Sequence, residues 1–329
     1  MRVFVIAMLA LLVFACDKSS TTPVEEVAEP AFKKFNYKHD DILREVGVYD
    51  PREQGDETPR PLVIGLHGGL GGDEEAVRLS FGKLNAIAED EDILVVYPNG
   101  INGHWNDGRG VQEYLAQSAE LKDVGFIVSL IDAFVEGWHV NPEQVFVLGV
   151  SDGAMMAERL ACERPDKVTA VASVIGALPL EVARRKWRCK GKDPVAILMI
   201  RGTEDPIVPW AGGDVTYDGK AFGKVLSADE GFAFWSRRNG CSGEPREETL
   251  PDSVPDDGTL VRRRQAADCK PGGRVELLAL EGGGHSWPSG WQYLPEETVG
   301  RVSREIDAAD ASWAFFMGSL LDAPMANSR

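Results

Sequence analysis

The sequence predicts an α/β fold, a mostly parallel sheet with helices on both faces in a single domain, and three observations carry that expectation. Short runs rich in valine and isoleucine, punctuated by glycine or proline, recur from Pro61 onward, as strands buried on both faces should. Stretches of helical period lie between them. The 329 residues show no repeat of the length that solenoids or propellers need. Since α/β folds routinely take about 250 residues as one domain, one large core is the simplest arrangement.

Ahead of Pro61, FNYKHD and ILREVGVY read as antiparallel strands that lead into the sheet at Asp50-Pro51. PLVIGL, DILVVYP and QVFVLGV follow as buried strands, and KVTAVASVIG, PVAILMI and RVELLAL continue the sheet. From Asp123 to Trp138, Phe126, Ile127, Leu130, Ile131, Phe134 and Val135 recur at helical spacing and give one broad apolar stripe. Ser227-Ala228-Asp229-Glu230 is a capping box, opening a helix that carries Phe232 and Trp235. Ala309, Trp313, Phe316 and Leu320 form the last stripe.

Composition excludes whole classes of function. Lysine and arginine total 35 against 52 acids, a net charge of −17, and such a surface repels phosphate backbones, so nucleic acid is not expected as a partner. A hydrophobic content of 43% with 26% charged residues does not describe a polytopic membrane protein. The start is different: Met1-Arg2 precedes VFVIAMLALLVFA and Cys16, the short basic start and short apolar run of an export signal. Val13-Phe14-Ala15-Cys16 resembles the lipobox of bacterial lipoproteins, in which the Cys16 thiol would be lipidated; the alternative is an ordinary cleaved signal that contains a cysteine. On this reading residues 1–16 are a signal peptide with a lipobox-like end, 17–34 a flexible tether, and 35–329 the folded domain. Membrane contact would run through that anchor alone, placing the protein in the cell envelope, periplasmic or outer surface, or outside the cell.

Export changes how the remaining cysteines are read. Cys162, Cys189, Cys241 and Cys269 form an even set in a compartment where disulfides persist, so two disulfides are expected, with three pairings open from the count. Neither a Cys-x-x-Cys spacing nor a histidine cluster appears, so no metal site is expected.

The stretch Val147-Leu148-Gly149-Val150-Ser151-Asp152-Gly153 sets a serine between two glycines where a strand meets a helix. That turn strains the serine backbone and leaves no room for side chains two positions away. It has the pattern of the nucleophile elbow of α/β-hydrolases, which lifts the serine oxygen to the positive end of a helix. A serine needs a base, and the base an acid, which in this fold follow in the order Ser, Asp or Glu, His. PVAILMI runs into Glu204-Asp205-Pro206, so Asp205 lies past a strand's carboxyl end with Glu204 its nearest rival. RVELLAL runs into Gly282-Gly283-Gly284-His285, and among five histidines only His285 has the required order and setting. The loop His67-Gly68-Gly69 after PLVIGL supplies one oxyanion donor at Gly69, and the residue after the serine, Asp152, supplies another. The loop lacks a P-loop lysine and dinucleotide glycine spacing, and no cofactor is expected.

With those residues in hand, a family resemblance is visible. The blocks LHGG, YPNG, HWNDGR, DVGFIVSLID, GVSDGAMMAERLACERPD, GTEDPIVPWAGG, NGC and GGGHSWP stand in order from about Pro61 to Phe316. Together they resemble secreted α/β-hydrolases described as polyhydroxybutyrate depolymerases, feruloyl esterases and acetylxylan esterases. The resemblance implies an α/β-hydrolase fold and pairs Cys162 with Cys189 and Cys241 with Cys269. There are two departures. Relatives commonly carry Asn then Gly-Gly after the serine where this chain has Asp152, Gly153 and Ala154, and a carboxylate turned toward the oxyanion donors would weaken them. Relatives also often carry cysteine where Gly69 stands.

The expected function is therefore an exported serine ester hydrolase working through Ser151, His285 and Asp205 by an acyl-enzyme route. Its expected partner is a small or solvated ester, with Trp105 and Trp287 as aromatic candidates for the pocket. The competing expectation is a catalytically silent surface lipoprotein that binds carbohydrate or polyester on a hydrolase scaffold. With the chain ending soon after the last helical stripe, and no extended apolar lid between Ser151 and Asp205, soluble short-chain, feruloyl, acetyl or hydroxybutyrate esters are expected ahead of crystalline polyester or long-chain lipid.

Overall fold

The computed structural model describes residues 33–52, 56–80, 82–184, 189 and 193–321. The expected export signal and Cys16 lie outside the described residues, as does the expected tether apart from Lys33 and Lys34, which instead open the first strand.

In chain order the elements begin with β1 (Lys33–His39), β2 (Ile42–Tyr49), β3 (Arg60–Leu66), α1 (Asp73–Leu79), α2 (Lys83–Glu91) and β4 (Leu94–Pro98). They continue with α3 (Leu115–Ser118), α4 (Asp123–Gly137), β5 (Val140–Val150), α5 (Asp152–Glu163), β6 (Ala170–Val174), α6 (Leu180–Ala183) and β7 (Ala196–Gly202). The hairpin β8 (Gly213–Tyr217) and β9 (Lys220–Val225) precedes α7 (Ala228–Arg238), β10 (Gly243–Thr249), β11 (Leu260–Ala267), β12 (Val275–Glu281), α8 (Glu296–Val299) and α9 (Ala308–Leu321).

The main sheet runs β1-β2-β4-β3-β5-β6-β7-β12-β11-β10, parallel from β4 to β12 and antiparallel at both edges. Because side chains alternate across a strand, each central strand feeds two cores. Val145 and Val147 of β5 join Ile127 and Leu130 of α4, Met156 and Leu160 of α5, and Phe232 and Trp235 of α7. Phe146, Leu148 and Val150 of the same strand join Val77 of α1, Ile87 of α2 and Phe315 and Phe316 of α9 on the other face. Phe146 and Phe316 stack at 4.7 Å, and burying a ring of that size contributes roughly 2–3 kcal/mol. This is the α/β-hydrolase arrangement, with helices on both faces of the sheet.

Most predicted elements appear where the sequence put them. The helix from Asp123 ends one residue early, with Trp138 as its cap, and Ser227 and Glu230 make both bonds of the capping box. The strands β8 to β11 have no counterpart in the expectation. β10 and β11 are the edge where GEPREET and LVRRRQAA stay largely out of the core; charge on an edge strand discourages pairing with other chains and hides the strand from a search for apolar runs. The structure contains the disulfides Cys162–Cys189, from the end of α5, and Cys241–Cys269, joining the segment after α7 to that after β11.

Cys241–Cys269 closes a separation of 28 residues, for which chain-entropy estimates give about 2–4 kcal/mol. Replacing both cysteines by serine should lower the unfolding free energy by that amount in urea titrations. A loss below about 0.5 kcal/mol would mean that the edge strands hold themselves.

Candidate active site

At the end of β5 the backbone reverses through Ser151 at φ 53° and ψ −115°, a region that L residues occupy only when their surroundings force it. The surroundings here are glycines. A Cβ on Gly149 would stand 2.2 Å from Gly153 O, and one on Gly153 2.2 Å from Leu66 O. Only bare backbone fits at either place, so strand, turn and helix close up and leave Ser151 at the first turn of α5. Its own N–H donates to Val174 O of β6 at 2.9 Å.

His285 sits in the glycine loop after β12, its N–H donating to Val299 O and its carbonyl accepting from Tyr293 Oη at 3.0 Å. The imidazole lies between two groups: Nε2 is 3.0 Å from Ser151 Oγ and Nδ1 is 2.8 Å from Asp205 Oδ2. The other Asp205 oxygen accepts the N–H groups of Ile207 and Val208, both at 2.8 Å. This anchors the carboxylate against the imidazole; in the neutral ring the proton then sits on Nδ1, and Nε2 faces the serine hydroxyl as an acceptor. Glu204 is exposed and has no such contact. Ser151, His285 and Asp205 thus stand in one hydrogen-bonded line.

Gly69 and Asp152 border Ser151, and among the described residues neither N–H has a hydrogen-bond acceptor. The peptide before Gly69 is held from behind: His67 Nδ1 is 2.7 Å from Gly68 O, while His67 Nε2 accepts the Gly100 N–H at 2.8 Å. Burial pushes the His67 pKa down, which favours the neutral ring with its proton on Nδ1. A planar trans peptide whose carbonyl points at His67 must aim its N–H the opposite way.

The structure corrects one expectation and sharpens another. Trp105 does not line the cavity: it is fully buried, its ring 4.8 Å from that of His67 and its Nε1 donating to His67 O at 3.0 Å. An apolar ring with one donor fits best under a loop whose carbonyl needs a partner. Trp287 does line the cavity, although it is largely buried. The cavity itself measures about 380 Å³. One wall carries His285, Trp287, Tyr293 and Leu294; another carries Gly69, His104, Tyr114 and Phe222, and Val215 and Tyr217 of the β8–β9 hairpin complete it.

Asp152 is where sequence reasoning saw a liability and missed the partners. Its Oδ1 accepts from Arg109 Nη2 at 2.7 Å and its Oδ2 lies 3.0 Å from His104 Nδ1. Arg109 is gripped in turn by Asp107 through Nε and Nη2, and its Nη1 donates to Phe222 O. Burial works to raise the Asp152 carboxyl, but Arg109 and His104 outweigh it and hold its pKa at about 2. The carboxylate is thus ionised and engaged on both oxygens. The signal that could have found this lay in HWNDGR: a buried carboxylate after the serine demands a cation, and that block offers an arginine.

The fold and the site define the class, a serine hydrolase scaffold, and comparison with known proteins agrees. Residues 53–222 match the family described as phospholipase/carboxylesterase. Over 79% of this chain and 74% of its own length, "Putative esterase NocK" of Nocardia uniformis subsp. tsuyamanensis is 34% identical. Feruloyl esterase C of Emericella nidulans is 29% identical over 84% of this chain and 83% of its own length. Feruloyl esterase B of Piromyces equi is 27% identical over 77% of this chain, which spans 45% of that protein. The acetyl xylan esterase from Aspergillus awamori superposes with a TM-score of 0.55 at 13% identity, covering 87% of this chain and 99% of the other, a likeness of fold. The chain belongs to the phospholipase/carboxylesterase family of α/β-hydrolases and is a carboxylic ester hydrolase.

Removing one member of a buried ion group leaves uncompensated charge, at a cost of about 3–5 kcal/mol. Arg109→Met should therefore destabilise the protein by that amount in urea unfolding. Arg263→Met, which breaks an exposed pair with Glu248, should cost less than about 1 kcal/mol.

Proposed function

We propose that this chain is an exported ester hydrolase in which Ser151 is the nucleophile, His285 the general base and acid, and Asp205 the residue that orients the imidazole. The observation that carries the reading is the line of 3.0 and 2.8 Å contacts from Ser151 through His285 to Asp205 at the floor of the cavity. As Oγ attacks the ester carbonyl, Nε2 takes its proton and the Asp205 carboxylate stabilises the imidazolium. The oxyanion meets the N–H groups of Gly69 and Asp152, donors aimed before the reaction begins. His285 returns the proton to the leaving alcohol, and a water activated by the same nitrogen releases the acid. Two disulfides support export, because such bonds persist in oxidising compartments.

The substrate reading is a soluble ester with a short or aromatic acyl group. A cavity of about 380 Å³ walled by Tyr114, Tyr217, Phe222 and Trp287 suits such a group, and relatives named feruloyl esterases favour it. Carboxylates at Asp152 and Glu75 line the same cavity and disfavour anionic acyl groups.

Ser151→Ala should retain the fold by circular dichroism and lose at least about a thousandfold in kcat/KM on nitrophenyl acetate, with no fluorophosphonate labelling. An unaltered protein that takes up no fluorophosphonate and hydrolyses no ester would instead favour a binding role. Asp205→Asn should be severely impaired while Glu204→Gln stays near wild type; the reverse would move the acid to Glu204.

A substrate panel tests the second part. Methyl ferulate, acetylated xylan, short-chain nitrophenyl esters and hydroxybutyrate trimer should be turned over in preference to solid polyhydroxybutyrate and a long-chain triglyceride. Preference for either of the last two would overturn the substrate reading and leave the mechanism standing.

A further inference from the structure

One imidazole in the cavity has no part in the proposed mechanism. His104 lines the cavity wall that carries Gly69 and is 8% exposed. Its ring stacks on Tyr114 at 3.7 Å and 11°, and Tyr114 stacks on Phe222 in turn. Its backbone N–H is bonded to Ile101 O. The ring is therefore held in one orientation, and its two nitrogens differ. Nδ1 lies against the Asp152 carboxylate, whereas Nε2 has no hydrogen-bond partner among the described residues.

A carboxylate only accepts, so in the neutral ring the proton sits on Nδ1 and Nε2 presents a lone pair. Nothing in the reaction scheme uses that lone pair. A rigidly held acceptor that opens into the cavity, unmatched by the described residues and beside a proposed oxyanion donor, is a recognition element, and what it recognises must donate. We infer that His104 Nε2 accepts a hydrogen bond from a hydroxyl group on the acyl part of the substrate, so that His104 sets a preference for hydroxylated over plain acyl esters.

The acyl assignment rests on the proposed roles of Ser151 and His285. His285 must hand its proton to the leaving oxygen, which draws the alcohol toward the wall of His285, Trp287 and Tyr293. The acyl chain is left to run along the wall of Gly69 and His104. That wall borders the donor at Gly69, since His104 Cε1 would stand only 3.4 Å from a Cβ at that position. The matching hydroxyl therefore belongs on one of the first acyl carbons. A neutral hydroxyl suits the place better than an acid, because Asp152 already puts a negative charge there.

The test compares methyl 3-hydroxybutyrate with methyl butyrate, which differ by one hydroxyl, as a ratio of kcat/KM. His104→Asn keeps an amide at the Nδ1 position for Asp152 and removes Nε2; the ratio should fall about tenfold, the size expected for one neutral hydrogen bond. His104→Gln, whose amide reaches the Nε2 position, should hold the ratio within about threefold of wild type. An unchanged ratio in His104→Asn overturns the inference, and an equal fall in both variants overturns it in favour of a purely structural role. A second measurement needs no change at His104. In Ser151→Ala protein with ¹⁵N-labelled histidine, methyl 3-hydroxybutyrate should move the Nε2 resonance of His104 and methyl butyrate should leave it in place; equal responses would overturn the proposal. Fluorophosphonate labelling of wild type separates this outcome from failure of the Ser151 reading, which would leave the protein unlabelled.

Discussion

The contact on which the site depends is backbone against backbone, where Gly153 at the start of α5 meets the carbonyl of Leu66 at the end of β3. No side chain can intervene there. Because the helix is drawn that close, the loop that follows β3 reaches over the same turn that exposes Ser151, so that a Cβ on Gly68, more than eighty residues away in the chain, would stand 3.5 Å from the Ser151 Cβ. Gly149, packed against Gly153 O, tightens the same turn from the strand side. Sheet register does the rest: β5 lies between β3 and β6, so the serine stands at the middle of the sheet, with the Asp205 loop after β7 and the His285 loop after β12 converging from farther along.

The charge beside the serine is tightly paired. The chain carries a net charge of −17, yet the carboxylate nearest the serine is tied to Arg109 and His104, and Arg109 to Asp107. Burying such a group costs several kcal/mol per ion before pairing, roughly repaid only when every donor and acceptor is matched. Here the match extends to Gln117, whose side-chain amide donates to Asp107 Oδ1 and to Trp105 O. The same group thus braces the segment from His104 to Arg109 against α5 and walls the cavity. Its contribution is shape and orientation more than net stability.

How much of this could be read from the sequence depended on the range of the signal. Ser151, Asp205 and His285 were legible because each ends or follows an apolar strand, and strand ends are marked by local residues. The capping box at Ser227 and the stripe of α4 were legible for the same reason. Arg109 was not, because its tie to Asp152 spans 43 positions and has no periodic signature. Trp105 was misplaced because a tryptophan near a glycine loop looks the same in sequence whether it faces substrate or props the loop from beneath. The β8–β9 hairpin and the charged edge strands β10 and β11 escaped because strands that bury little lack the apolar pattern by which strands are recognised.

Gly69 and Asp152, two separate features of the sequence, are made into one by the structure. A Cβ at position 69 would lie 2.9 Å from Asp152 Oδ2, an oxygen that cannot swing aside without leaving its bond to His104 and straining the one to Arg109. The carboxylate occupies the space in which a side chain at 69 would begin. In design terms the two positions form a single choice: a side chain at 69 requires that the acid at 152 be moved or replaced first.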